Sequence, residues 1–160
     1  MERKGVRLYN VMFPLWFFFV YPTLLWLVIL PVNFAIDSLV LHLAAKKQKI
    51  KDMKALWKKS ILRVWLIGFL SDVLGGSVCL LLLYLADVVP FLGWITKLPY
   101  VAMQVVTGIP GVVVAGVLIY YFNRLISFKK TSLEKGQIQK ICRALAWFTA
   151  PYAMMIPLYW

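Results

Sequence analysis

Two carboxylic acids stand inside long apolar stretches of this sequence, where an acid needs a physical explanation. Asp37 follows a run from Leu8 to Ile36 that contains no charged residue, and Asp72 lies within the apolar stretch 64–86. A charged side chain at the centre of a bilayer costs at least about 2.5–3.5 kcal/mol on insertion scales. The two acids are therefore the first candidates for a functional site.

Small and polar neighbours accompany both acids. Asn33 precedes Asp37 by four residues, so the two side chains share one face of a helix. Asp72 is flanked at the same spacing by Gly68 and Gly76, and small residues at this spacing form a groove that another backbone can approach closely. A neighbouring helix or a small ligand could therefore reach Asp72.

A third apolar stretch supplies polar groups and a predicted break. Gln104 and Thr107 precede the run Gly108–Gly111, which contains Pro110. Proline removes a helical hydrogen bond, and carbonyls freed at membrane depth must be satisfied by protein or line a wet cavity. A broken helix beside intramembrane acids is typical of transporters. The alternative is structural, with an acid hydrogen-bonded to polar neighbours in an ordinary kinked bundle.

Composition places most of the chain in lipid. Of 160 residues, 62% are hydrophobic, and the mean hydropathy is +0.81, more apolar surface than a soluble core of this size could hide. The net charge of +12 comes from basic residues beside the apolar stretches. Such flanks mark the cytoplasmic side and attract anionic headgroups, which favours membrane lipids rather than nucleic acid as partners.

These patterns predict an all-α integral membrane protein with about five transmembrane helices. The predicted helices cover residues 9–29, 32–46, 64–86, 100–122 and 144–160, and the basic segments 1–7, 46–63 and 124–143 lie in the cytoplasm. The N-terminus is then cytoplasmic and the C-terminus extracytoplasmic. Pro31 would break the first two helices apart, although the second arm is short enough for a re-entrant hairpin instead.

Segment 46–63 predicts a basic amphipathic helix that lies in the membrane interface. Ile50, Met53, Trp57 and Ile61 recur at helical spacing and form one apolar stripe, while the lysines between them face anionic lipid. The lysines predicted to contact headgroups are Lys46, Lys47, Lys58 and Lys59.

A short motif follows the fourth predicted helix. Asn123 and Arg124 are followed by Phe128, Lys129 and Lys130. This Asn-Arg-x-x-x-Phe-basic pattern resembles a signature of the GtrA-like family, small multipass proteins thought to move polyprenyl-phosphate-linked sugars across bacterial membranes. That family typically has four spans and a tryptophan where Ile126 stands. Read without the resemblance, the same residues would anchor a helix end at lipid headgroups.

The sequence favours transport over catalysis. It contains one histidine, no nucleophile paired with a base, and no Cys/His set for a metal, so we predict neither an enzyme nor a cofactor. The leading hypothesis is a small transporter or channel-like protein for a proton or small cation in a bacterial-type inner membrane, acting as a homo-oligomer. A GtrA-like flippase and a non-transporting subunit or scaffold of a larger membrane complex are the alternatives.

Overall fold

The computed structural model describes residues 24, 26–129 and 131–156, which form helices and connecting loops. The four α-helices are α1 (Trp26–Lys47), α2 (Met53–Val88), α3 (Tyr100–Phe122) and α4 (Lys135–Phe148). A π-helix (Asn123–Ser127) continues α3, and 3-10 turns occupy Pro90–Leu92 and Tyr152–Met155. Three of these elements are long and apolar enough to cross a membrane, namely Trp26–Lys47, Met53–Val88 and Tyr100–Ser127. The described part of the chain is therefore all-helical, and the protein is a membrane protein.

The predicted break at Pro31 is wrong, because α1 continues through this residue. Proline is tolerated inside membrane helices where neighbouring groups compensate for the lost hydrogen bond. Trp65 Nε1 of α2 donates a hydrogen bond to the Leu30 carbonyl oxygen at 3.1 Å beside it. Most of the predicted helix 9–29 lies outside the described residues.

Helix α2 joins two elements that were predicted to be separate. It has 36 residues, which corresponds to about 54 Å at the usual helical rise, whereas the hydrocarbon core is about 30 Å thick. The basic turns Lys54–Arg63 are thus a straight extension of the span, and the prediction of a separate interfacial helix is not supported. Asp52 begins the helix by accepting a hydrogen bond from the Ala55 amide at 3.0 Å.

The end of the bundle that carries the basic residues of the 46–63 and 124–143 segments, here called the basic end, contains the main apolar core. Every described helix contributes fully buried side chains to this core, including Leu41, Leu56, Ile61, Ile119, Phe128, Ile141 and Leu145. Ile50 and Met53 pack against it. The predicted apolar stripe of the 46–63 segment thus contacts protein in part, since Ile61 is buried in this core and both α1 and the π-helix pack on α2.

Helices α2 and α3 cross where glycine faces glycine. A Cβ atom added to Gly75 would lie 2.6 Å from the Gly111 carbonyl oxygen and 3.0 Å from the Ala115 Cβ. Such contact requires the absence of side chains on both helices. The predicted break at Gly108–Gly111 is wrong, since α3 is continuous there, and its glycines serve close packing instead.

Helix α4 ends at Phe148, so the prediction of one continuous fifth span over residues 144–160 is wrong. Thr149 caps the helix by donating both its amide and its hydroxyl to the Leu145 carbonyl oxygen, at 2.8 and 2.9 Å. Pro151 cannot continue a helix so soon after this cap. The 3-10 turn then packs on α3, where a Cβ added to Gly108 would lie 2.9 Å from the Met154 carbonyl oxygen.

Candidate functional site

The crossing of α1 and α2 brings the two acids together with Asn33. Asp37 of α1 faces Gly68 of α2. A Cβ atom added to Gly68 would lie 3.1 Å from Asp37 Oδ2. One turn along each helix, Asn33 Nδ2 donates a hydrogen bond to Asp72 Oδ2 at 3.4 Å. The helices run antiparallel here, so the acids lie diagonally across the crossing, about one helical turn or roughly 5 Å apart along it.

Asp72 is poorly satisfied for a buried acid. It is 5% exposed, its Oδ2 has the single long bond from Asn33, and its Oδ1 is buried without a hydrogen-bond partner among the described residues. Buried polar groups in proteins are nearly always paired, because an unpaired one costs about 1–3 kcal/mol. Within the described residues, Asp72 therefore has one buried oxygen that is left over for a further partner.

A cavity of about 220 Å³ lies beside the two acids. Helix α1 contributes Asn33 and Ile36 in addition to Asp37, and α2 contributes Gly68 and Phe69 in addition to Asp72. The remaining wall is the segment Phe148–Ala153, where α4 ends and the 3-10 turn begins. The Thr149 hydroxyl lies near enough to the Asp37 carboxyl to interact with it.

The charges around this cavity all favour a positive occupant. Asp37 and Asp72 are close enough for their charges to repel each other, and in the described part of the chain no lysine, arginine or histidine lines the cavity. The carbonyl end of α4 adds a partial negative charge, as the C-terminus of any helix does. Carboxylate, amide and hydroxyl oxygens suit a proton or a hard cation. The described residues contain no cluster of three or more His, Cys, Asp or Glu side chains suited to a metal ion.

The other predicted transport residues lie elsewhere. Gln104, Thr107, Gly108, Pro110 and Gly111 do not line the cavity of the two acids. Thr107 Oγ1 donates to its own helix, to the Met103 carbonyl oxygen at 2.8 Å. Cys79 and Gly75 of α2 both contact Gly111 of α3. Gln104 precedes Gly111 by about two turns of α3, or roughly 10 Å. Gln104 and Asp72 therefore lie on opposite sides of this crossing.

Gln104 is fully buried, and neither its Oε1 nor its Nε2 has a hydrogen-bond partner within the described ranges. Replacing it by leucine removes two unpaired polar atoms, so we expect Gln104→Leu to raise the free energy of unfolding by about 1–3 kcal/mol. Thermal unfolding in detergent measures this effect. A destabilised Gln104→Leu protein would show instead that the amide has a partner the structure does not describe.

Sequence reasoning missed the wall formed by Phe148–Ala153. The prediction treated this segment as the middle of a fifth span, whereas it is the end of α4 and a turn. The available signal was Thr149-Ala150-Pro151, a capping residue two positions before a proline. Because this capping signal lies within an apolar stretch, the prediction followed the hydropathy and assigned the stretch to a membrane span.

The residues predicted to contact headgroups divide into two groups. Lys46, Lys47, Lys58, Lys59, Arg124 and Lys129 are exposed at the basic end, and Lys130 lies outside the described residues. Asn123 and Phe128, by contrast, are buried at 0% and 1% exposure, which excludes them from headgroup contact. Asn123 Nδ2 donates to the Ile119 carbonyl oxygen at 2.9 Å, and Ser127 Oγ donates to Asn123 Oδ1 at 2.6 Å. This chain of bonds stabilises the π-helix from within.

Comparison with known proteins adds no relative. No protein-family model matches the chain, and no curated protein or solved structure resembles it closely enough to count as a match. Function must therefore be argued from the site itself.

Proposed function

We propose that this protein is a small membrane transporter or channel-like protein for a proton or a small cation, with Asp37 and Asp72 as its binding groups. The observation that carries the proposal is the Asp72 carboxyl, which lines a cavity while buried and has one oxygen without a partner. Intramembrane acids that face a cavity mark ion and proton pathways. A bound proton or cation would give Asp72 Oδ1 the partner that it lacks among the described residues.

Each neighbour has a defined part in this proposal. Asp37 and Asp72 repel each other when both are ionised, and one bound positive charge relieves that repulsion. The amide of Asn33 holds Asp72 in orientation through its hydrogen bond. Thr149 supplies a hydroxyl beside Asp37, and the end of α4 supplies carbonyl dipoles at membrane depth, as half-helices do in known transporters.

The proposal includes an orientation and an assembly. The exposed basic residues at one end of the bundle support a cytoplasmic location for that end, by the positive-inside rule. The proposed membrane is the cell membrane of a bacterial-type cell. A homo-oligomer is favoured because three long helices enclose little volume of their own.

Ion flux into proteoliposomes tests the proposal. A pH-sensitive dye would report protons, and labelled sodium and potassium would report cations. We expect flux with the wild-type protein, and flux no higher than in protein-free vesicles for Asp37→Asn and Asp72→Asn. Asp87→Asn is the matched control, since Asp87 is an exposed acid at the other end of α2, and it should leave flux unchanged. Full flux in both intramembrane variants would refute the proposal.

A second candidate is a flippase of the GtrA-like kind, which the exposed Arg124 at the basic end favours. This function predicts the opposite pattern. Arg124→Gln and neutralised lysines between Lys46 and Lys59 would impair movement of a lipid-linked sugar, while the two aspartate variants would not. A non-transporting subunit would instead co-purify with partner proteins from its native membrane and show no flux alone.

A further inference from the structure

We propose that one anionic phospholipid binds in a groove between α3 and α4, with its phosphate at Arg143 and Lys140 and an acyl chain along α3. This inference does not depend on the transport function, because neither Asp37 nor Asp72 lines the groove. It rests on an apolar groove, on a basic cavity that adjoins it, and on the length of the groove.

The groove is large and almost wholly apolar. Its volume is about 670 Å³, within the range of about 300–1,000 Å³ typical of ligand pockets. Gly116 has no side chain to fill the bottom of the groove. The groove walls include Tyr121 and Trp147, whose side chains are 55% and 72% exposed. Arg143 is the one charged residue in the described lining.

Arg143 also lines a second cavity of about 360 Å³, which the C-terminal end of α1 and the middle of α4 form at the basic end. Lys47 and Lys140 are its other charged residues, and no acid is found in the lining that the structure describes. Three cations at the mouth of an apolar groove complement a negatively charged headgroup attached to a hydrocarbon chain.

The length of the groove favours a lipid over a helix. It follows α3 from Val112 to Tyr121, ten residues that span a rise of about 14 Å, which is half of the roughly 30 Å hydrocarbon core. An acyl chain in one leaflet has this reach, whereas a partner helix would need a surface that spans the bilayer. The inner end of the groove is Ala150 and Tyr152, which also line the cavity of the two acids.

Native mass spectrometry of the detergent-solubilised protein can test this site. With added phosphatidylglycerol or phosphatidylcholine, we expect one saturable adduct that strongly favours phosphatidylglycerol. The double variant Lys140→Gln/Arg143→Gln should weaken phosphatidylglycerol binding by roughly 25-fold, about fivefold for each basic residue near the headgroup. Val117→Trp, which fills the groove, should abolish the adduct.

Two matched controls separate this groove from general lipid attraction. Lys51→Gln/Lys54→Gln removes two exposed cations that line neither the groove nor the basic cavity, and Val105→Trp enlarges an exposed valine of α3 outside the groove. Both should bind phosphatidylglycerol as the wild type does. Equal binding of the two lipids, or equal loss in the control variants, would overturn the proposal. So would a dimer that Val117→Trp dissociates, because the groove would then hold a second copy of the chain.

Discussion

Gly111→Ala is expected to destabilise the protein by about 3 kcal/mol or more, since overpacking a close contact commonly costs 1–3 kcal/mol and this one involves two backbones. A Cβ at Gly111 would overlap the Cys79 sulfur and lie 2.7 Å from the Gly75 carbonyl oxygen. A sulfur can shift, but the carbonyl can move only if α2 and α3 separate. Gly111→Leu, which forces a larger separation, is expected to give no folded protein.

Gly136→Ala is the matched control for Gly111→Ala. Gly136 lies in the first turn of α4, and a Cβ there would have no atom within 4 Å. Alanine should be neutral or stabilise the protein by up to about 1 kcal/mol through helix propensity. Thermal unfolding followed by circular dichroism in detergent compares the two variants. If Gly111→Ala melts together with the wild type, the close α2–α3 crossing is wrong.

Asp72→Leu is expected to stabilise the protein and abolish ion flux together. The substitution removes a buried carboxyl with one oxygen that has no partner in the described part of the chain, which should raise the free energy of unfolding by about 1–3 kcal/mol. It also removes the proposed binding group, so flux should fall to that of empty vesicles. Opposite changes in stability and activity are typical of functional groups held at a cost to the fold.

A purely structural Asp72 would behave differently. In that case Asp72→Leu would lower the melting temperature, because the lost link between the helices would outweigh the cost of the unpaired oxygen; the Asn33 amide loses its acceptor under either role. Asp87→Leu is the control, since this exposed acid should change stability by no more than about 0.5 kcal/mol. Thermal unfolding and proteoliposome flux on the same preparations separate the two roles.

Sequence patterns predicted the elements that hydropathy and periodicity determine directly. The predicted span 100–122 coincides with α3, and the predicted span 64–86 lies within α2. The proximity of Asp37 and Asp72 could also be anticipated, since antiparallel neighbours with acids at similar depths must bring them near each other. Of the glycines at four-residue spacing around Asp72, Gly68 faces the Asp37 side chain of α1, whereas the closest contact between two helix backbones is made by Gly75 and Gly111.

The predictions that failed concern which helix surfaces face lipid and which are covered by other helices. An apolar stripe such as Met53, Trp57 and Ile61 has the same pattern whether it contacts lipid or protein. Here Ile61 lies in the protein core and Met53 packs against that core, whereas Trp57 is exposed. A proline in an apolar stretch is equally ambiguous, because it can lie inside a continuous helix or follow the end of one. At Pro31 and Pro110 a helix continues because its surroundings support it, whereas at Pro151 the helix has already ended at a threonine cap.

The unbroken course of α2 has a mechanical consequence. Lys59 at the surface and Asp72 inside the bundle belong to one rod without a proline between them, separated by about 20 Å of helix. A force that tilts the lysine-bearing turns, whether from a charged membrane surface or a docked protein, would also move Asp72, because both belong to the same helix. The buried carboxyl is thus physically connected to events outside the bilayer.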